Sequence, residues 1–189
     1  MKFILLSICA ILLLGACSKQ PQVIIKTELG DITCDLYLKE APITAGNFLK
    51  YVDEGRFEGA SFYRVVTQDN QSNNDVKIEV VQGGLFKDEH PNHLPPIVHE
   101  TTGQTGILHK NGVLSMARNE PGSAQADFFF CIGDQPELDF GGKRNPDGQG
   151  FAAFGIVTSG MDVLLKIHQL ENEGQYLNKP VKILSIERI

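Results

Sequence analysis

Positive charge is scarce in this chain of 189 residues, where 17 lysines and arginines face 23 aspartates and glutamates. Lys2 is the only charged residue ahead of Cys17, so the remainder keeps 16 basic against 23 acidic side chains. With no basic stripe to neutralise phosphates, nucleic acid is not an expected partner. Cysteine is equally sparse. Of four cysteines, Cys9 and Cys17 fall in the N-terminal apolar stretch, leaving Cys34 and Cys131 for the folded part. Cys34 shares the apolar side of Ile32-Thr33-Cys34-Asp35-Leu36, and Cys131 follows three phenylalanines. Both are expected as buried thiols acting as small hydrophobes rather than as a disulfide. No apolar run is long enough to span a bilayer comfortably, and no internal repeat is present. The spacing of His90, His93, His99 and His109 matches no helical zinc motif, so neither a metal nor another cofactor is expected. Ser115 and Ser123 lack a nucleophile-elbow setting and no histidine is placed by sequence to serve them, which argues against a hydrolase.

What is there begins with Lys2 and the apolar run Phe3 to Leu14, closed by Gly15-Ala16-Cys17. The run reads as a signal peptide. Leu14-Gly15-Ala16-Cys17 resembles a bacterial lipobox, in which the cysteine becomes the lipidated first residue; an ordinary secretory signal is the other reading. The expected organisation is therefore a lipoprotein signal over 1–16, a lipidated tether over 17–22 and one domain over 23–189. Multi-chain lipidation at Cys17 would hold that domain firmly on a membrane. Ser18 in place of Asp resembles an outer-membrane sorting signal, so the expected location is the cell envelope, at the periplasmic face of the outer membrane.

Within the domain, Val23–Thr27 and Ile32–Leu38 flank a Gly30-Asp31 turn and alternate with the period of a hairpin. Thr44 is a candidate cap for a helix reaching Glu54, with Phe48, Leu49 and Val52 on one stripe and Gly55 as its stop. Strands are expected over Phe62–Val66, Ile78–Gln82, Gly112–Ala117, Asp127–Ile132, Phe151–Thr158 and Val181–Ile189. A second helix fits Gly160–Leu170, where apolar residues recur at helical spacing. Many short strands with two isolated helices suit a mainly β fold closed into an antiparallel barrel. Two polar loops, 67–75 and 141–150, follow Arg64 and Leu138 and are expected either as plain solvated surface or as the rim of a site.

The segments Ser61-Phe62-Tyr63-Arg64-Val65-Val66, Val80-Val81-Gln82-Gly83-Gly84, Val113-Leu114-Ser115-Met116-Ala117-Arg118 and Asp127-Phe128-Phe129-Phe130-Cys131 occur in that order. Together they resemble the cyclophilin family of peptidyl-prolyl cis-trans isomerases, over roughly residues 23–189. The resemblance implies a closed eight-stranded antiparallel barrel with a capping α-helix at each end. It also implies an enzyme acting on proline-containing segments, here of exported proteins. Arg64 takes the position of the family's essential arginine. Phe129 matches the pocket floor, Leu138 an apolar wall, Gln82 a contact to substrate backbone, and Ala117 and Arg118 the segment along which the peptide runs. Phe151, where histidine is frequent, is a candidate part of the apolar wall, and Met116 is expected in the core.

Several positions depart from the family. Glu79 falls where a pocket phenylalanine is usual, Val80 replaces methionine, Tyr63 histidine, Asp127 glutamine, Arg118 asparagine, and Glu137 the tryptophan tied to cyclosporin binding. Facing Arg64, Glu79 would form an ion pair and reduce the arginine's availability; facing solvent, it would cost nothing. The sequence leaves both orientations open. A second class of function follows from these departures, a non-catalytic module that holds proline segments as a chaperone or scaffold. Intact Arg64, Gln82 and Phe129 favour the enzyme.

Overall fold

The computed structural model describes residues 19–86 and 90–189. The expected signal, the lipobox and Cys17 lie outside the described residues. The chain opens as the expected hairpin, β1 (Gln22–Thr27) and β2 (Gly30–Leu36), with Val23 opposite Cys34 and Ile25 opposite Ile32. Thr27 Oγ1 fixes the turn by donating to the Gly30 carbonyl at 2.7 Å and accepting from Leu29 N at 3.0 Å.

Helix α1 spans Pro42–Asp53 and starts earlier than expected, because Pro42 with its fixed φ takes the first helical position. Thr44 is therefore not the cap; it lies inside the first turn. The cap comes from far along the chain: the Glu100 carboxylate accepts from Ile43 N (3.2 Å), Thr44 N (2.6 Å) and Thr44 Oγ1 (2.7 Å). An anion is favoured there by the helix dipole as well as by the unpaired N–H groups. Gly55, at φ 63°, closes the helix as expected.

The remaining strands are β3 (Ser61–Val66), β4 (Val80–Gly84), β5 (Val113–Met116), β6 (Phe128–Cys131), β7 (Ala152–Ser159), β8 (Asn172–Glu173) and β9 (Tyr176–Arg188). Eight of the nine strands close a ring in the order β1-β2-β7-β5-β6-β4-β3-β9, with β9 returning to β1 and every pairing antiparallel. The short β8 pairs only with the start of β9. Closure leaves no exposed sheet edge in the ring. Besides α1 and α3 (Met161–His168), a one-turn helix α2 (Thr102–Thr105) was not anticipated from the sequence. Strand limits also differ: β2 covers Gly30–Leu36 rather than Ile32–Leu38, β4 covers Val80–Gly84 rather than Ile78–Gln82, β9 begins at Tyr176 rather than Val181, and other limits shift by one residue.

Two apolar clusters share these strands. The larger fills the barrel and the undersides of α1 and α3; the smaller, with Val66, Ile78, Val80, Phe129, Cys131 and Leu138, lies on the outer face. Strand β6 divides its side chains between them, with Phe128 and Phe130 inward and Phe129 and Cys131 outward. Cys34 and Cys131 are both free and buried, as expected, and fall in different clusters. Burial pushes both thiols far above the ordinary range, so neither is a reactive thiolate.

Candidate active site

Strict alternation along β3 would put Arg64 on the same face as Phe62, inside the barrel. A β-bulge prevents this. The register steps from Phe62 opposite Gly83 to Arg64 opposite Gln82, leaving Tyr63 as the extra residue. Phe62 and Val65 then point inward, while Tyr63 and Arg64 both face an outer cavity of about 420 Å³.

Arg64 is held on two sides. Its NH1 donates to Gln82 Oε1 at 2.7 Å, while Nε and NH2 donate to Gln175 Oε1 at 3.1 and 2.5 Å. Among the described residues it has no carboxylate partner. Burial lowers its pKa, with Tyr176 and Tyr63 partly opposing that shift; a guanidinium stays cationic regardless. Gln82 is itself oriented by donating to the Tyr63 hydroxyl at 2.7 Å. Tyr63 in turn neighbours Asp127, whose Oδ1 accepts from Phe86 N at 3.1 Å. Burial raises the Asp127 carboxyl above its usual range, and burial first, with Asp127 second, pushes the Tyr63 phenol up as well. Gly84 makes room for this network: at φ 138°, a Cβ there would lie 2.2 Å from Asp127 Oδ1.

The apolar part of the cavity is equally fixed. Phe129, 4% exposed, forms its floor beside the buried Leu138. Phe151 stands edge-on to Phe129 at 5.3 Å, and the Arg118 guanidinium carbon lies 5.2 Å over the Phe151 ring. Ile78 and Val80 complete the wall. Glu79 alternates away from it and accepts from Gln68 Nε2 at 3.1 Å, so no Arg64–Glu79 ion pair forms. The apolar position expected to be lost at Glu79 is filled by Ile78, one residue earlier. Ala117 and Arg118 line the cavity as expected, but the Arg118 guanidinium is turned to the 141–150 loop. It donates to the Gly150 carbonyl (2.9 and 2.6 Å) and forks onto Asp147 (2.9 and 3.0 Å). Glu137 braces the same loop, its Oε2 accepting from Lys143 N at 2.8 Å.

Among the residues that sequence reasoning missed are Tyr176, Arg144 and Asn145, which line the cavity, and Gln175, which grips Arg64. Gln175 and Tyr176 arrive because β9 starts early, after a turn in which Gln175 adopts φ 83°. Arg144 and Asn145 come from the loop that was expected as either plain surface or rim. It is rim. One further expectation fails: a histidine does serve Ser115. His109 Nε2 lies 2.9 Å from Ser115 Oγ, and Nδ1 lies 2.7 Å from Asp139 Oδ1. Ser115 is 0% exposed, and the His109 ring stacks on Phe129 at 6.0 Å and 11°. With its serine sealed off, this trio is a strut behind the pocket floor, not a nucleophilic centre. Among the described residues no three His, Cys, Asp or Glu side chains cluster as a metal site.

The cavity thus offers an oriented cation beside a greasy seat, with amide and phenol groups between them. The model of the family described as cyclophilin type peptidyl-prolyl cis-trans isomerase/CLD matches residues 22–188. The chain is similar to peptidyl-prolyl cis-trans isomerase A of Dickeya dadantii, 33% identical over 177 residues that cover 91% of this chain and 85% of that one. It is 32% identical over 168 residues to a peptidyl-prolyl cis-trans isomerase of Acinetobacter baylyi, covering 86% and 82%. Among solved structures, a cyclophilin type isomerase of Cryptosporidium parvum, in the presence of the dipeptide Ala-Pro, matches with TM-score 0.69. It is 19% identical over 88% of this chain and 97% of that one, and so bears on the fold.

Proposed function

This chain belongs to the cyclophilin-type peptidyl-prolyl cis-trans isomerases, and from that membership we propose that Arg64 drives catalysis by stabilising a twisted X–Pro bond. Amide resonance makes rotation slow, with a barrier of roughly 18–20 kcal/mol. At the top of that barrier resonance is lost, and the prolyl nitrogen becomes pyramidal and gains a lone pair. A fixed cationic donor at that nitrogen stabilises the twisted amide more than the planar one, which is differential transition-state binding. No nucleophile, metal or proton transfer is needed.

The single observation that carries this reading is the Arg64 guanidinium, aimed outward by the bulge, gripped by Gln82 and Gln175, and unneutralised among the described residues. In the proposed complex the proline ring sits on Phe129 between Leu138 and Phe151, and Gln82, Ala117 and Arg118 border the path of the flanking backbone. The Ala-Pro dipeptide with the solved relative supports a proline-containing ligand. The test is the isomerisation rate of a short X–Pro peptide with the wild type and Arg64→Ala. Loss of one preorganised donor is expected to slow catalysis by about 10²–10³-fold. An undiminished rate in a folded variant would refute the role.

The natural substrates we propose are exported proteins with slow X–Pro bonds, reached from a lipid anchor at Cys17 on the periplasmic face of the outer membrane. The apolar run ending in Leu14-Gly15-Ala16-Cys17 and followed by Ser18 supports this. Mass spectrometry of the mature N-terminus is expected to find lipid on Cys17; an unmodified N-terminus elsewhere would contradict it.

A further inference from the structure

Two arginines border the rim of the cavity besides Arg64, and they are wired differently. Arg118 is neutralised by Asp147. Arg144 meets no carboxylate among the described residues. Its NH1 donates to Gln71 Oε1 at 2.8 Å and to the Val76 carbonyl at 2.6 Å, both neutral acceptors. Gln71 is only 2% exposed and has every side-chain group committed. Its Nε2 donates to the Thr67 and Ile78 carbonyls, and its Oε1 also accepts from Ile78 N. Glu137 holds the other end, its carbonyl accepting from Arg144 N at 3.1 Å and its carboxylate from Lys143 N. A buried glutamine and two polar loops are thus spent on fixing one guanidinium by a single nitrogen. Its remaining N–H groups have no partner among the described residues.

The neighbourhood is unusual for so acidic a protein, whose formal net charge is −6. Asp127 is the only carboxylate among the described residues that line the cavity, and its Oδ1 already accepts from Phe86 N. Both guanidinia line the same cavity, and burial first, with the Arg64 charge second, lowers the Arg144 pKa. Two fixed like charges facing one cavity are relieved by an anion between or beside them. A guanidinium presents a planar fork suited to a carboxylate.

Building on the assignment of this cavity to X–Pro segments, we propose that Arg144 forms a carboxylate subsite, so that the enzyme favours segments with an acidic side chain flanking the proline. The uncharged isostere glutamine at that peptide position gains no such contact. Preference is set by the loops 67–79 and 141–150, which bring Arg144 to the rim.

The test uses the full chain and end-blocked peptides with Glu or Gln placed before or after the proline, so that the side chain is the sole carboxylate. The wild type is expected to favour Glu over Gln by about fivefold in kcat/KM at one of the two positions, at low ionic strength, with the preference shrinking in high salt. Arg144→Gln is expected to abolish that ratio and Arg144→Lys to keep part of it. Gln71→Leu, which removes one of the two acceptors that hold the guanidinium, is expected to weaken the ratio in a protein with unchanged circular dichroism. A peptide with an unblocked C-terminus and no acidic side chain separates a terminal carboxylate from a side-chain one. Equal rates on Glu and Gln peptides at both positions, a preference that survives in Arg144→Gln, or a preference confined to the free C-terminus would overturn the proposal. Absence of turnover on every peptide by the wild type would contradict the cavity assignment itself, and the subsite with it.

Discussion

Phe128 and Phe129 are neighbours in one strand and live in different chemical worlds. Phe128 joins a lattice of rings inside the barrel, with Phe48, Phe57, Phe62 and Phe130 at centroid distances of 5.4 to 6.0 Å and near-perpendicular planes. Phe129 faces outward, backed by the polar strut of His109, Ser115 and Asp139 and flanked by Phe151 under a guanidinium. The interior is held mainly by area and shape. The outer face is held by hydrogen bonds that leave few groups uncommitted: Gln82, Tyr63, Asp127 and Gln175 all serve to fix others. Filling space stabilises a fold, whereas catalysis by a static donor needs orientation, which packing of apolar groups supplies poorly and paired polar groups supply well.

Substitutions can break this contrast. Phe128→Ala opens a void in the ring lattice and is expected to cost about 3–5 kcal/mol in urea unfolding. Phe129→Ala is expected to cost less stability and to remove most of the isomerase activity. If the two variants lost activity only in proportion to stability, the division between the faces would be wrong. Next in size is Gln175→Ala, which removes one of the two grips on Arg64. With Arg64 as the proposed catalytic group, misplacing it is costly, and a roughly tenfold fall in kcat/KM with unchanged unfolding is expected, while an unaltered rate would leave Gln82 as the sufficient grip.

Glu100→Gln sharpens the comparison from the other side, since Glu100 is the polar exception at the interior's edge. Losing its charge at the start of α1 is expected to destabilise by about 1 kcal/mol without touching catalysis, checked by thermal melts and the peptide assay. The smallest effect concerns the loop. The Arg118 fork holds the Asp147 carboxyl below its usual 3.8. A depressed pKa contributes stability that is full above the unfolded value and is lost as pH falls through the folded one. The Tm gap between the wild type and Asp147→Asn is therefore expected at pH 6 and to close below about pH 3.8. A gap that persists in acid would assign the loop's order to other contacts.

Much of this was legible from residue order. Period-two alternation in Val23–Thr27 gave the correct faces, and the resemblance set Phe129 at the cavity that it lines. The apolar stripe of α1 and the Gly55 stop were likewise local. What failed was what depends on a partner without a motif or on a local register step. Thr44 reads as a cap because its hydroxyl is nearby, yet Glu100, 56 residues on, supplies the acceptor. Glu79 sits at an aligned position, but the pocket takes Ile78, because the alternation Ile78-Val80-Gln82 fixes the wall. The bulge at Tyr63 leaves no mark in the sequence, since Phe-Tyr-Arg-Val alternates plausibly without it. Gln175 follows a short Glu-Gly turn that signals a reversal and says nothing of Arg64. The His109–Ser115 contact crosses a loop between residues with no motif spacing.

The central claim is that Arg64 acts on the twisted amide and not merely on the resting peptide. Its direct test pairs kcat/KM for one X–Pro peptide with the equilibrium Kd of the same peptide, for the wild type and Arg64→Ala. A rate loss of about 10²–10³-fold with Kd changed only a few-fold is expected. A Kd that weakens as much as the rate falls would make Arg64 a binding group, and the transition-state account would be contradicted.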